Sequence, residues 1–337
     1  MRISEIGEFG LIDLVAEMVN KARDEGTASW QNLLIGIGDD TAAWRGDTST
    51  QLATVDCLVQ NVHFSLDIIS WQELGYKALA VNLSDIAAMG GLPRYALVSL
   101  GLPPHIEVDD IAALYHGMLK LAKPSGVAIV GGNISQSPVV FIDITVIGST
   151  GSKDGSLLTR SSAVPGDKIA VTGHLGAAAA GFEMLSKKLR LDAETTDCLK
   201  RAFVEPTPRL AEGRLLIEHG VKTAIDVSDG LVSDLGHICE SSRVSAQLTI
   251  DRMPVHPAVK AGFGDKAVEL ALSGGEDYEL LFTAKAEIID RIKKSAACPI
   301  TVIGEILAGE PGKITLIDSK GNHFSPRKTG WNHFSQA

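Results

Sequence analysis

Six aspartates stand in short polar motifs spread from residue 39 to residue 229. They are Asp39 and Asp40 in Gly36-Ile37-Gly38-Asp39-Asp40, Asp56 in Thr54-Val55-Asp56, Asp85 in Asn82-Leu83-Ser84-Asp85, and Asp226 and Asp229 in Asp226-Val227-Ser228-Asp229-Gly230. Each motif adjoins an apolar stretch, which sets it at a strand end or on a helix against the core. Carboxylates gathered in this way repel one another unless a cation holds them. Oxygen ligands favour hard divalent ions, and Mg²⁺ is typically held by one or two carboxylates together with substrate phosphates. The pattern reads as a multi-metal nucleotide site.

Taken singly, the motifs have plainer readings. Gly36–Asp40 fits a turn, and Asp226–Gly230 fits a helix N-cap in which Asp229 or Ser228 accepts from free backbone N–H groups. Asp85 is different, because it falls inside a predicted helix among Leu83, Ile86 and Ala87. A ligand role there relieves the cost of burying a carboxylate. Asn133 follows Gly131-Gly132 at a predicted strand end, where the glycine pair fits either a close approach to phosphate or an ordinary exit turn. Ser273-Gly274-Gly275-Glu276-Asp277-Tyr278 sets a tight turn and two acids before a strand. Gly173-His174-Leu175-Gly176 precedes a helix but lacks the Gly-Lys-Ser/Thr of a Walker A loop, so helix packing is the expectation. His63 reads as structural on spacing alone. Arg160 fits a surface charge or a phosphate contact.

These residues need elements to position them. Leu11, Ile12, Leu14, Val15, Met18 and Val19 recur at helical spacing and predict a helix over 8–22. A strand is expected at Leu52–Asp56. Ser70 and Glu73 form a capping box that opens a helix ending at Gly90-Gly91-Leu92-Pro93. Strands follow at Tyr95–Leu100, Val127–Val130 and Val139–Ile147, the last being central, with a helix at Val108–Ala122. The Gly- and Ser-rich segment Gly148–Gly155 is the expected boundary, giving domains at 1–150 and 151–337. Beyond it come strands Lys168–Thr172, Thr223–Asp226, Gln247–Ile250 and Leu280–Thr283. The helices expected there begin at Gly176 and Leu231 and cover 208–219 and 285–296.

A net charge of −10 argues against non-specific nucleic-acid or membrane-surface binding but not against ATP, whose Mg²⁺ brings positive charge locally. Cys57, Cys198, Cys239 and Cys298 form no Cys-x-x-Cys, so neither a zinc site nor a disulfide framework is expected, and a reducing cytoplasm fits. No signal peptide or membrane-spanning run is read at the N-terminus.

Longer strings carry a resemblance. Gly7-Glu8-Phe9-Gly10-Leu11-Ile12, Asn61-Val62-His63-Phe64, the run Tyr76–Gly90, Leu158-Thr159-Arg160, Pro165-Gly166-Asp167, Ala224–Leu231, Leu272–Leu280 and Gly330-Trp331-Asn332-His333-Phe334 closely resemble thiamine-monophosphate kinases. That family shares a superfamily with aminoimidazole ribonucleotide synthetase and selenophosphate synthetase. The resemblance implies an α+β or α/β chain of two domains. The N-terminal one would bind ATP and Mg²⁺ and carry a mainly antiparallel sheet with helices that pairs across a homodimer. The C-terminal α/β domain would complete the cleft. It implies ATP as co-substrate, several Mg²⁺ ions and thiamine monophosphate as acceptor. By position, Asp40, Thr54, Val55, Asp56, Asp85, Asn133, Asp226 and Asp229 would be metal ligands, with Val55 offering only its backbone. Tyr115, Arg160 and Ser228 would contact ATP, with Arg160 stabilising charge. His63, Glu276 and Trp331 would contact thiamine phosphate. One departure from the resemblance stands out: the family usually carries Gly-Gly-Asp where this chain has Gly131-Gly132-Asn133.

Rival readings within the superfamily are disfavoured by the sequence. A selenophosphate synthetase is expected to place a reactive Cys near its N-terminus, and the first here is Cys57. A carbamoyl-dehydrating hydrogenase maturation factor is expected to end in Cys, and this sequence ends Phe334-Ser335-Gln336-Ala337. A nucleotide-binding protein that has lost catalysis is the rival from another class, motivated by Asn133.

Overall fold

The computed structural model describes residues 1–38, 41–151 and 155–331. The chain forms two compact units, Met1–Ile86 with Leu92–Gly155, and Ala87–Gly91 with Ser156–Ala337.

The first unit contains α1 (Ile3–Lys21), α2 (Ala28–Asn32), β1 (Leu33–Ile35), β2 (Ala43–Trp44), β3 (Gln51–Val59), α3 (Trp71–Ala88), β4 (Leu92–Leu102), α4 (Val108–Ser125), β5 (Ala128–Gln136) and β6 (Phe141–Ser149). Helix α1 buries Leu11, Val15 and Val19, one residue per turn. The expected capping box opens α3: Ser70 N–H donates to Glu73 Oε2 at 2.8 Å and Glu73 N–H to Ser70 Oγ at 3.3 Å. Gly90, at φ +69°, ends that helix, a left-handed conformation that glycine adopts without cost. Four strands form a sheet in the order β3-β6-β4-β5, antiparallel except for the β4–β5 pair. Strand β6 is central, as its apolar run predicts. Its Ile142, Ile144 and Val146 are fully buried, while Asp143 and Thr145 alternate onto the other, more open face.

The second unit contains β7 (Lys168–Thr172), α5 (Ala177–Ser186), α6 (Ala193–Val204), α7 (Leu210–Glu218), β8 (Thr223–Asp226), α8 (Leu231–Ser242), β9 (Ser245–Thr249), α9 (Pro257–Phe263), α10 (Ala267–Ser273), β10 (Leu280–Ala284), α11 (Ala286–Ser295), β11 (Ile300–Leu307), β12 (Ile314–Ile317) and β13 (His323–Phe324). Its seven-stranded sheet runs β13-β12-β9-β11-β7-β10-β8. Alternate residues of the inner strands feed two cores. Ile169, Val171, Ile225 and Leu281 pack with residues of α5, α8, α9 and α10. Ala170, Ala224, Leu280 and Phe282 pack with residues of α7 and α11. Burial on both faces explains why β7, β8 and β10 read as nearly unbroken apolar runs. The layering is that of an α/β domain, yet only β9–β12 pairs in parallel and the other pairs are antiparallel. No helix among the described residues is long and apolar enough to cross a membrane.

Candidate functional site

In the first unit, three expected ligands meet on two regular elements. Thr54 and Asp56 lie two apart on β3 and so share one face, while Val55 points the other way and is 56% exposed. Asp85 lies on α3. Thr54 Oγ1 donates to Asp85 Oδ2 at 2.5 Å. Asn82, one turn earlier on α3 and fully buried, accepts from Asp56 N–H at 3.0 Å. Its amide nitrogen donates to Ala78 O at 3.0 Å, which fixes the orientation of the amide. Strand and helix are thus fastened where the acidic groups sit. The Thr54, Asp56 and Asp85 side chains offer only oxygen, a donor set suited to Mg²⁺ rather than to softer metals.

His63 closes the turn after β3. Its Nδ1 accepts from Val59 N–H at 3.0 Å, so the neutral ring carries its proton on Nε2 as a donor. Asp39 and Asp40 lie outside the described residues.

One expectation in this unit needs correction, and two expected site residues stand apart from the acids. Asn133 is not at a strand end, because β5 continues to Gln136. Register places Asn133 in one cross-strand row with Ser99, Asp143 and Cys57, whereas Asp56 shares its row with Ile144, Val98 and Gly132. Adjacent rows face opposite sides of a sheet, so Asn133 is not brought beside Asp56. Its amide donates to Ser135 Oγ at 3.2 Å instead. Tyr115 lies in the core on α4, 3% exposed, and burial raises its phenol pKa above the ordinary range.

In the second unit, residues far apart in sequence converge on the turn between β8 and α8. Val227 O accepts from Tyr278 N–H at 2.9 Å, Ser228 O from Glu276 N–H at 2.7 Å, and Asp229 O from Trp331 N–H at 3.0 Å. Asp226, Ser228, Asp229, Glu276 and Trp331 are thereby gathered in one place. Gly275 permits the approach: at φ +69°, a Cβ there would stand 2.5 Å from Ser228 O. The expected N-cap by Asp229 or Ser228 is not formed. Gly230 occupies that position, and Asp234, from within α8, reaches back to accept from the Ser228, Asp229 and Gly230 N–H groups that precede the helix. Burial raises the Asp234 carboxyl to about 7. The Gly230 N–H opposes this, and the Asp226 and Asp229 charges add to it. Asp229, Asp234 and His237 offer ligand atoms within 4.8 Å of one another. Sequence reading passed over Asp234 and His237. The only available signal was their place in the first two turns of the helix that follows the Asp226–Gly230 motif.

Arg160 is exposed, and its preceding residue bridges Thr223 at the start of β8, whereas Asp226 is at the strand's far end. The Gly173–Gly176 segment packs as expected. The anion seat at the start of α5 is filled by Asp277, which accepts from Gly176 N–H at 2.7 Å and Ala178 N–H at 3.3 Å. Beneath it, Glu279 is 5% exposed and takes a bidentate pair of hydrogen bonds from Arg209, both 2.6 Å, plus one from Thr172 Oγ1 at 2.6 Å.

Residues 38–150 match the family model of the AIR synthase related protein N-terminal domain, and residues 164–317 that of its C-terminal domain. Thiamine-monophosphate kinase of Bacillus subtilis (strain 168) is 37% identical over 307 residues, covering 89% of this chain and 93% of its own length. The crystal structure of thiamine-monophosphate kinase from Stenotrophomonas maltophilia K279a superposes with a TM-score of 0.80 at 34% identity, over 94% of this chain and 98% of that one. AaThiL complexed with AMPPCP and TMP superposes with a TM-score of 0.76 at 32% identity, over 99% of each chain. The chain carries both AIR synthase related domains and belongs to the thiamine-monophosphate kinase family.

Proposed function

We propose that the chain transfers the γ-phosphoryl group of ATP directly to the phosphate of thiamine monophosphate, giving thiamine diphosphate and ADP. The carrying observation is the gathering of acidic Asp226 and Asp229, Ser228, Glu276 and the Trp331 segment by main-chain hydrogen bonds. The Trp331 main chain docks on the same turn, and the residue is 57% exposed, which supports a site with carboxylates for a metal and an aromatic for a cationic ring. A relative of 32% identity that binds AMPPCP and TMP supports the same substrate pair.

The attacking oxygen belongs to an ionised phosphate, so no general base is required. A P–O bond forms to the γ-phosphorus, the bond to the β–γ bridging oxygen breaks, and ADP leaves with that oxygen. Thr54, Asp56 and Asp85 in one unit, and Asp226 and Asp229 in the other, are the proposed Mg²⁺ ligands, joined by Asp40 and the Val55 backbone. Mg²⁺ supplies charge neutralisation on the phosphate oxygens when bound. The remaining assignments bind and orient. Ser228 and Arg160 contact ATP, and Arg160 offsets charge on the phosphates. His63 and Glu276 contact thiamine phosphate, and Trp331 lies against its cationic ring. We leave Asn133 and Tyr115 out of the proposed set, because one lies on the sheet face opposite Asp56 and the other in the core.

The open face of the four-stranded sheet, carrying Val55, is the proposed homodimer contact. The four free thiols suit a reducing cytoplasm. The mechanism is tested with ATP made chiral at the γ-phosphorus. A direct in-line transfer inverts configuration in the thiamine diphosphate formed, and retention would show a phospho-enzyme instead.

A further inference from the structure

The turn that carries Asp226, Ser228 and Asp229 is pinned on both sides, peptide by peptide. On one side, Asp234 Oδ2 alone accepts from Ser228 N–H at 3.1 Å, Asp229 N–H at 3.2 Å and Gly230 N–H at 3.0 Å. On the other, the carbonyl of each of those same three peptides accepts from Tyr278, Glu276 or Trp331 N–H. The N–H and C=O of one peptide unit point in opposite directions. Holding the three N–H groups on one oxygen therefore turns the three carbonyls outward, to where the Glu276 loop and the Trp331 segment dock.

Asp234 is 2% exposed and its ligand atom lies within 4.8 Å of one on Asp229, an expensive place for an acid. A short helix cap does not require it, because one acceptor satisfies a cap and here one oxygen takes three donors. The arrangement instead resembles the outer partners that orient metal ligands, whose removal typically weakens metal binding by about 10–100-fold.

We infer that Asp234 is a positioning residue which, through the 228–230 main chain, sets both the Asp226/Asp229 metal ligands and the Glu276/Trp331 substrate segments. This rests on the kinase reading, but half of it can be measured without turnover. The test compares Asp234→Ala, Asp234→Asn and Asp234→Glu with the parent full-length protein. The readouts are Mn²⁺ titration by electron paramagnetic resonance, KM for thiamine monophosphate, and Tm. Asn keeps one oxygen able to accept all three N–H groups, so Asp234→Asn should stay within about threefold of the parent in Mn²⁺ affinity and KM. Glu keeps the charge but displaces the oxygen by a methylene. Asp234→Glu and Asp234→Ala should both weaken Mn²⁺ about tenfold or more and raise KM by a similar factor.

If Asp234→Ala fails to fold, the Glu and Asn pair still decides. A lower Tm with Mn²⁺ affinity and KM unchanged would overturn the inference, since that is all a structural cap would do. Loss of Mn²⁺ binding in Asp234→Asn would also overturn it, by making Asp234 a direct ligand. If the parent forms no thiamine diphosphate, the kinase reading fails by itself, and the Mn²⁺ arm still judges the positioning role.

Discussion

The two units hold their acidic groups by different means. In the first, Thr54 and Asp56 ride on a strand and Asp85 on a helix, and their spacing follows from strand alternation and from the Asn82 hydrogen bond that fastens one element to the other. In the second, Asp229 sits in an irregular turn with Asp226 just before it, and the turn's shape is set by six main-chain groups bonded to a buried carboxylate and two distant segments. The comparison teaches that the first set is as rigid as the fold itself. The second depends on Asp234, which lies outside the proposed ligand set, and on two segments distant in the sequence. Changes beside the ligands that spare Asn82 should therefore be tolerated in the first unit, while those at Asp234 are costly in the second.

The largest expected effect falls on both regions alike. Asp56→Ala, Asp85→Ala and Asp226→Ala should each reduce kcat by about 10²–10⁴, since a lost metal contact removes several kcal/mol of transition-state stabilisation. Steady-state rates together with circular dichroism check this. A variant with parental kcat would remove that residue from the ligand set.

The next effect distinguishes the second unit. Arg209→Ala leaves Glu279 buried without its partner and should cost about 3–5 kcal/mol in urea unfolding. A loss under 1 kcal/mol would show that water reaches Glu279 readily.

A comparable effect concerns pH. Burial raises the Asp277 carboxyl to about 7, its hydrogen bonds from Gly176 and Ala178 N–H opposing this and Glu279 adding to it. The folded protein then holds a proton that the unfolded chain releases near pH 4, so this group's contribution is fully present below about pH 4 and is lost as pH rises toward 7. Asp277→Asn should flatten the fall in stability across that window, a difference on the order of 4 kcal/mol. Parallel Tm–pH curves for parent and variant would refute the shift.

The smallest effect is a near absence of one. Asn133→Asp should leave the Mg²⁺ saturation curve superimposable on the parent's, because Asn133 faces away from Asp56. A lower half-saturating Mg²⁺ would place it back among the ligands.

The same contrast governs what was legible in the sequence. Lys168–Thr172 and Thr223–Asp226 were read to the residue, because strands buried on both faces are short apolar runs with sharp ends. Helix α6 escaped notice. It opens Ala-Glu-Thr-Thr-Asp and shows its buried face mainly at Leu199 and Phe203. Strand β11 was hidden by Gly304, which sits at a register shift against β7. The pair Gly131-Gly132 has the composition of a strand terminus, but it lies mid-strand, where a Cβ on Gly132 would come 1.8 Å from Val98 O. The aspartate motifs were legible as chemistry because residue type alone suggests it. Asp234 was not, since its role depends on where three backbone N–H groups point, which no side-chain spacing encodes.

The central claim is tested most directly by incubating the protein with ATP, thiamine monophosphate and Mg²⁺ and quantifying products by mass spectrometry. The account predicts thiamine diphosphate and ADP in equal amounts, abolished by EDTA and by Asp56→Ala or Asp226→Ala. ADP accompanied by free phosphate without thiamine diphosphate, or product formation undiminished in EDTA, would contradict it.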